Sequence, residues 1–475
     1  QRVLISLALA AALTACATNP VTGKREVSLL SEAQEIAIGQ QYDAEVRREM
    51  GVYDDPELQR YVSDIGHRLA KLSHRPNLPW TFTVVDHSAI NAFALPGGFI
   101  YITRGILPYL DDEAELAGVL GHEIAHVTAR HAAQQYTRAT GGQLGLIALG
   151  IFVPGARPFG DLASTALGIA FLKYGRDDER ESDRIGMEYA SQGGWDPSGV
   201  PRFLATLARV DELSERGVPN FLTTHPEPAA RVIETEPLAA KLAASGGSQR
   251  DREGYREQID GVVVGDNPKD GIVRGNVFLH PVLRFALEFP EGWEVMNTPS
   301  QVAAREPGQQ HFMLLQMVDQ PRGRTPEEIA VNSMNGAGFR RVDGANTTLH
   351  GLDAHIGLYQ GSIQGIGDVI MRAAHIVHGR EVYVFAGFAP RDQFENVDGM
   401  VTTSLGTFRP LSASEADNVR PNRLDFYTVR PGDTWQSIAS RGGALTRATD
   451  LAIMNHHAVS DQPKPGERIK IVVEG

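Results

Sequence analysis

A single stretch, DEAELAGVLGHEIAHV at residues 112–127, decides the fold of the first part of this chain. Asp112 and Glu115 have the spacing of a helix capping box. Behind them, apolar residues recur at helical intervals, which indicates that one side of the segment is buried. These apolar residues are Leu116, Val119, Leu120, Ile124 and Val127. The pattern predicts a helix that packs into a protein core.

Within that helix, His122, Glu123 and His126 form an HExxH motif. Residues four positions apart share one face of a helix, so the two imidazoles can point at the same zinc ion. Glu123 can then reach a water molecule at that ion. The motif predicts a zinc site for peptide hydrolysis, with Glu123 as the catalytic base. The alternative is a buried helix whose histidines only form hydrogen bonds.

A catalytic zinc site needs a third protein ligand as well as an open fourth position. The extended pattern HExxHxxGxxH would supply a histidine at position 132, but that residue is Ala132, and His131 is one position out of step. We therefore look for a downstream acid. The segment GRDDERESD, residues 175–183, starts another predicted helix on which Glu179 and Asp183 share one face. One of them can bind zinc while the other orients a histidine ligand, unless the segment is only a solvated, acidic helix start.

This combination, HExxH followed by Arg-x-x-Glu-x-x-small-Asp, resembles the zinc metallopeptidase family of the CAAX prenyl proteases, HtpX and the periplasmic protease BepA. The resemblance covers about residues 19–240. It implies that Glu179 is the third zinc ligand and that Asp183 is the acid that follows it in the family pattern. Gly175 and Ser182 stand where the family usually has serine and alanine, and both are small replacements. Without an apolar span of about 20 residues, the chain resembles the soluble periplasmic branch.

A further segment, Thr224-His225-Pro226, is similar to a feature of that branch. The resemblance implies that His225 can occupy the open zinc position and hold the enzyme latent. The alternative is a histidine in a turn between two prolines.

The chain of 475 residues carries 58 acidic and 45 basic residues, for a net charge of −13. An acidic chain of this kind is not expected to bind nucleic acid, which requires clustered lysine and arginine. Apolar residues make up 42% of the chain and charged residues 22%, so we expect globular domains rather than disorder. A single cysteine cannot form an intramolecular disulfide or a thiolate zinc cluster.

That cysteine, Cys16, follows an apolar run at residues 3–13 that is too short to span a bilayer and suits a signal peptide. The sequence Leu-Thr-Ala-Cys resembles a bacterial lipobox, which implies that residues 1–15 are removed and that Cys16 is lipidated. Ala17 is not the aspartate that favours the inner membrane, so the expected location is the periplasmic side of the outer membrane. The alternative is a buried free cysteine.

Changes in composition along the chain indicate a multidomain protein. After the signal peptide we expect a lipobox cysteine and tether, a mainly α-helical zinc metallopeptidase domain with a small β-sheet, a linker, an α+β domain of unknown role, a second linker and a βααβ module. The predicted ranges, in this order, are 16–30, 31–243, 244–254, 255–410, 411–424 and 425–473. Residues 91–98 are expected to form the turn between two strands of the small sheet, at 80–85 and 99–103.

The last module is similar to a LysM domain. The resemblance rests on the segments YTVRPGDT at residues 427–434 and KPGERIKI at residues 464–471. It implies binding of glycans that contain N-acetylglucosamine, such as peptidoglycan, although Trp435 stands where leucine is usual. The alternative is a structural spacer.

Together these observations predict a lipid-anchored zinc endopeptidase of the bacterial envelope. It is expected to hold one zinc ion and to act on misfolded or misassembled envelope proteins in quality control. Two alternatives remain open. One is a glycan-binding envelope chaperone or scaffold with minor proteolysis, and the other is a peptidase directed at peptidoglycan.

Overall fold

The structure is a computed structural model that describes residues 16–137, 174–213, 224–244, 246–363, 365–443 and 445–475. These residues belong to two compact units. The first extends to Val264 and also includes Asn422–Glu474, and the second is Gly265–Pro421. The expected signal peptide, residues 1–15, lies outside the described residues. Within the described ranges, no helix combines the length and the apolarity needed to cross a membrane.

The first unit is built mainly from helices that start at the expected caps. Ser31 and Gln34 form a capping box, Asp55 caps a helix that begins with a proline, and Asp112 caps the HExxH helix. The helices are α1 (Glu32–Met50), α2 (Pro56–Leu72), α3 (Glu113–Thr128), α4 (Arg176–Gln192), α5 (Gly199–Leu213), α6 (Pro228–Ala243) and α7 (Arg252–Ile259). A short hairpin, β1 (Cys16–Thr18) with β2 (Arg25–Val27), precedes them.

A small sheet lies beside the helices, and it corrects one sequence prediction. Its strands are β3 (Thr81–Val85), β4 (Ala92–Leu95) and β5 (Phe99–Thr103), in the order β3-β5-β4. Residues 92–95 are therefore a strand rather than part of a turn. They pair antiparallel with β5, while β3 pairs parallel with it, so the apolar segment buries its side chains at the sheet edge. The tight turn is confined to the residues before β5, where Gly97 and Gly98 have positive φ angles that suit glycine.

The boundary of the first unit also differs from the expected one. Residues 255–264 were assigned to the α+β domain, but they lie in the first unit. Tyr255 and Ile259 of α7 are fully buried in its hydrophobic core. Burial of these side chains explains why the expected linker ends in an ordered helix rather than in a free connection.

The C-terminal part of the first unit is a β-α-α-β arrangement. It consists of β18 (Asn422–Thr428), α11 (Trp435–Arg441), α12 (Ala448–Met454) and β19 (Arg468–Glu474). Strands β18 and β19 pair antiparallel, and β6 (Val263–Val264) extends the sheet beside β18. Trp435 and Ile438 of α11 are buried in a small hydrophobic core within this β-α-α-β arrangement.

The second unit contains a seven-stranded sheet and a four-stranded sheet, in the orders β10-β11-β12-β16-β15-β14-β13 and β17-β9-β8-β7. Helices α8 (Pro326–Gly336) and α9 (Phe394–Gly406) pack on the large sheet, and a short α10 (Ala413–Asp417) follows. The strands of this unit are β7 (Ile272–Arg274), β8 (Val277–His280), β9 (Phe285–Glu288), β10 (Glu294–Asn297), β11 (Gln301–Arg305), β12 (Phe312–Met317), β13 (Arg340–Leu349), β14 (Leu352–Ile363), β15 (Gly367–His378), β16 (Glu381–Pro390) and β17 (Arg409–Pro410).

Candidate metal centre

Helix α3 is buried along its whole length and lies against α4. The two helices approach closely where Gly121 faces Gly186. A Cβ atom added at Gly121 would lie 2.8 Å from the Gly186 carbonyl oxygen, a distance that no side chain can adopt. Because both positions are glycine, the backbones can come together. This contact places His122 opposite the acidic residues at the start of α4.

Four donor groups converge at this contact, from His122, His126, Glu179 and His225. The Nε2 atoms of His122 and His126 are 3.0 Å apart. His225 Nδ1 lies 3.3 Å from His122 Nε2 and 3.0 Å from Glu179 Oε1. The Glu179 oxygens lie 3.5 Å from His122 Nε2 and 3.4 Å from His126 Nε2. All four side chains are buried.

These distances fit a zinc ion. Zinc binds histidine nitrogen at about 2.0–2.1 Å, so two ligands of a tetrahedral site lie about 3.3–3.4 Å apart. The donor atoms described above are separated by 3.0 to 3.5 Å. Two histidines and one glutamate are also a known ligand set for catalytic zinc. His122, His126 and Glu179 can therefore hold the ion, with the His225 imidazole at the fourth corner.

A second layer of buried charge surrounds these donors. Asp183 Oδ1 lies 3.0 Å from His122 Nδ1, which leaves Nε2 of the same ring for a metal. Burial acts to lower the pKa of His122, but hydrogen bonds to Asp183 and Glu179 raise that pKa to about 9. Burial acts to raise the pKa of Asp183, but the positive charge and hydrogen bonds of Arg231 outweigh burial. The pKa of Asp183 therefore lies below its usual value. The site therefore keeps its carboxylates ionised although they are buried.

Arg231, on α6, is the part of this layer that the sequence patterns did not indicate. Its guanidinium donates to both oxygens of Asp183 at 2.6 and 2.7 Å and lies 2.6 Å from Glu179 Oε2. It is itself buried. The available signal was a single charged residue on the side of α6 that also carries Pro228, Thr235 and Ala239, six residues after His225.

Glu123 lies on the opposite side of His225 from Glu179. Its carboxylate is fully buried, and neither oxygen has a hydrogen-bond partner among the described residues. His225 Nε2 is 3.6 Å from Glu123 Oε1. Burial raises the pKa of Glu123, and the charges of His225 and His122 oppose that rise. A carboxylate with a raised pKa and free lone pairs suits proton transfer.

Two further residues pack around His126. The Tyr174 ring stacks on it, with 3.9 Å between ring centroids. His131, which the sequence excluded as a ligand, is not among the converging donors, but its Nδ1 lies 2.9 Å from His126 Nδ1. Glu181 lies 3.2 Å from the other nitrogen of His131 and does not join the donors either. Cys16 also lies outside this group, as the first residue of β1.

A buried HExxH helix whose donors are completed by a glutamate from a second helix defines a metallopeptidase of the zinc-dependent class. Comparison with known families agrees with this class. Residues 56–237 match peptidase family M48, and residues 427–472 match the LysM domain. The chain therefore contains an M48 metallopeptidase domain and a LysM domain, which confirms the family predicted from the motifs.

Three curated relatives are similar to the peptidase part. The beta-barrel assembly-enhancing protease of Escherichia coli (strain K12) is 34% identical over 47% of this chain and 48% of its own length. The Yersinia pestis protein of the same name is 34% identical over 47% of each chain. The mitochondrial metalloendopeptidase OMA1 of Schizosaccharomyces pombe is 30% identical over 46% of this chain and 64% of its own. The chain thus spans about half the length of the first two relatives.

A solved structure of a Pseudomonas aeruginosa protein of unknown function, PA94, is similar over 27% of this chain and 92% of its own, with a TM-score of 0.21 and 16% identity. A similarity this weak supports no functional argument.

Proposed function

We propose that this chain is a zinc-dependent metalloendopeptidase of the bacterial cell envelope that hydrolyses peptide bonds in misfolded or misassembled envelope proteins. The observation that carries the proposal is the convergence of His122, His126 and Glu179 beside the buried carboxylate of Glu123. The relatives named beta-barrel assembly-enhancing protease and mitochondrial metalloendopeptidase OMA1 support it.

A zinc ion at these donors would supply a Lewis acid that polarises the scissile carbonyl. Glu123 would take the proton of the attacking water and return it to the leaving amine. Asp183 and Arg231 would hold the His122 ring and the Glu179 carboxylate in place. His225 would occupy the fourth corner in a latent form and would move away when substrate binds.

The substrate side of the site is indicated by a pocket beside His126. Ala94, Leu95 and Pro96, at the end of the edge strand β4, line it together with Tyr174. An edge strand offers unpaired backbone groups to an extended peptide. We therefore propose that an unfolded polypeptide binds along β4, which is consistent with misfolded substrates.

The test is Glu123→Gln, with Glu188→Gln on the exposed side of α4 as the matched control. We expect Glu123→Gln to keep zinc and to lose casein cleavage, whereas Glu188→Gln keeps both. Casein cleavage by Glu123→Gln at the wild-type rate would refute the mechanism.

The same proposal can be separated from its two alternatives by substrate. Wild-type protein is incubated with unfolded outer-membrane proteins and with purified sacculi, with and without a chelator, and the products are identified by mass spectrometry. We expect chelator-sensitive cleavage of the unfolded proteins. Cleavage of peptidoglycan peptides alone would favour the peptidoglycan peptidase, and no chelator-sensitive product would favour the chaperone or scaffold.

For the latch, we propose the comparison of His225→Ala with the wild type. Removal of the fourth donor is expected to raise peptidase activity while zinc stays bound. Unchanged activity together with unchanged zinc geometry would exclude the latch.

We further propose that Cys16 carries a lipid that anchors the chain to the outer membrane, and that the LysM domain binds peptidoglycan. The lipobox-like sequence supports the first part and the LysM match supports the second. Cys16→Ser is expected to release the protein from the membrane fraction, and pull-down with sacculi tests glycan binding. A Cys16→Ser protein that stays in the membrane fraction would refute the anchor.

A further inference from the structure

A second buried polar cluster lies at the N-terminal end of α3, where the LysM domain packs against the peptidase domain. Lys470, on β19, is only 1% exposed, and its Nζ donates to the Leu110 carbonyl at 2.7 Å. The Asn455 side chain bonds both backbone groups of Lys470. Its Oδ1 accepts from the Lys470 N–H at 2.7 Å, and its Nδ2 donates to the Lys470 carbonyl at 2.9 Å. A buried lysine is costly unless negative groups compensate it. Its position therefore points to a specific electrostatic contact.

The compensating groups are the carboxylates that begin α3. Asp111, Asp112 and Glu115 are buried, and Asp112 caps the helix. Burial raises the pKa of Glu115 well above its usual value, and it lowers the pKa of Lys470 to about 8. Asp111 and Glu115 are the groups that favour the charged form of Lys470. The LysM ammonium therefore adds positive charge at the start of the HExxH helix. Arginines already pair with two of the carboxylates there: Arg252 with Asp111, and Arg202 and Arg250 with Asp112.

His456 makes a second contact from the LysM domain. Its Nε2 donates to the Tyr109 carbonyl at 3.1 Å, and its Nδ1 accepts from the Thr206 hydroxyl at 3.3 Å. Burial lowers the pKa of His456 to about 3, so the ring is neutral and can make both bonds. It links the LysM domain to the short turn before α3 and to α5.

Apolar contacts join the two domains at the same place. Met454 and Val472 of the LysM domain, with Leu424 at the start of β18, belong to the hydrophobic core that also contains Leu110 and Leu116. The LysM domain thus shares the core of the peptidase domain, which differs from a glycan-binding module on a flexible tether.

We propose that Lys470 and His456 are positioning residues of the peptidase, through which the LysM domain fixes the position of α3 along its axis. This inference rests on the proposed function. Asp112 and His122 are separated by about 15 Å of rigid helix, so a shift at the capped end moves the histidines by the same amount. The contact of Gly121 with Gly186 has no side chains to resist sliding. Contacts at the helix start therefore contribute to how His122 meets Glu179.

The experiment compares full-length Lys470→Met with Lys464→Met, a matched change at an exposed lysine of the same domain. For each protein, kcat and KM are measured with one peptide substrate, zinc content is determined, and hydrogen exchange is followed in α3. We expect Lys470→Met to lower kcat by about ten-fold with little change in KM, because small displacements of reacting groups are expensive. We also expect faster exchange in the first turns of α3.

A rescue variant separates positioning from a general loss of stability. Lys470→Gln keeps a donor for the Leu110 carbonyl, so we expect it to retain more of kcat and of exchange protection than Lys470→Met. His456→Gln is a milder second variant, for use if Lys470→Met does not fold. We expect it also to lower kcat and to speed exchange in α3, by a smaller amount.

Equal kcat and equal exchange in Lys470→Met and Lys464→Met would overturn the proposal. It would also fail if Lys470→Gln restored stability without restoring kcat. The hydrogen-exchange comparison does not depend on peptide cleavage. A wild-type protein that binds zinc and cleaves no peptide would therefore refute the proposed function, while exchange still decides whether the LysM domain holds α3.

Discussion

The two units each bury a cluster of histidines, and the clusters differ in the charge around them. In the first unit, His122, His126 and His225 converge with Glu179. In the second unit, His355 on β14 lies opposite His375 on β15. These two histidines are fully buried, and their hydrogen-bond partners are uncharged side chains. His355 Nδ1 donates to the Asn346 side-chain oxygen at 2.9 Å, and His375 Nε2 lies 2.6 Å from the Ser333 hydroxyl.

The two environments shift the pKa values of their histidines differently. Burial lowers the pKa of His375 to about 4 and also lowers that of His355. In the first unit, Asp183 and Glu179 reverse the same effect of burial at His122 and raise its pKa to about 9, whereas at His126 burial outweighs Glu179 and the pKa lies well below its usual value. Buried histidine alone therefore favours a neutral ring, and buried carboxylates are what make a site attractive to a cation.

The largest effect is expected when the buried carboxylate of Glu179, which distinguishes the first histidine cluster from the second, is neutralised. In Glu179→Gln the ligand charge is lost, and we expect zinc content to fall and peptidase activity to drop by at least about a thousand-fold, since the metal supplies several kcal/mol. The control is His375→Gln in the second unit, which should leave both unchanged. Metal analysis and a casein assay measure the result. Full zinc content in Glu179→Gln would contradict the ligand assignment.

The next effect concerns the charge that Arg231 balances. Arg231→Met leaves Glu179 and Asp183 without their buried cation, so we expect the metal-free protein to lose about 3 kcal/mol of unfolding free energy. Added zinc should recover much of this loss, because it replaces the missing positive charge. Urea unfolding with and without zinc measures both quantities. Arg184→Met, at an exposed ion pair of α4, is the control, and an equal loss in both variants would count against the charge argument.

Much of the metal centre could be predicted from the sequence because its geometry is local. Helical spacing places His122 and His126 on one face, and the same rule pairs Glu179 with Asp183. Arg231 could not be predicted in this way, since its partners lie 48 and 52 positions away and meet it only after α6 packs on α4. The contact of His131 with His126 likewise depends on how the chain continues after α3.

The fold shows the same division between local and distant information. The capping residue Asp112 predicted the start of α3. The sequence patterns place the edge strand β4 in a turn, because four apolar residues directly before Pro-Gly-Gly do not indicate which strand they pair with. Nothing local indicates that Lys470 is buried against α3, since lysine is normally exposed.

A smaller effect is expected one layer behind the ligands. Asp183→Asn keeps an oxygen for His122 Nδ1 but removes the charge, so we expect zinc affinity to fall by about 10- to 100-fold. Competition with a fluorescent chelator measures the affinity. Asp177→Asn, at an exposed position of the same helix, is the matched control. Wild-type affinity in Asp183→Asn would show that the second layer does not tune the site.

The smallest effect is expected in the second unit, when a hydrogen-bond partner of its histidine pair is removed. Ser333→Ala removes the hydrogen bond to His375, whose other ring nitrogen has no partner among the described residues, so we expect a loss of about 1 kcal/mol in stability. Hydrogen exchange of the slowest amides in β15 measures this loss. In Ser333→Ala with His375→Leu both polar partners are gone, and we expect stability closer to that of the wild type. Zinc content should stay the same in both variants. If either variant lost zinc, the two histidine clusters would not be independent, and the uncharged cluster would have to be reconsidered as more than a packing feature of its sheet.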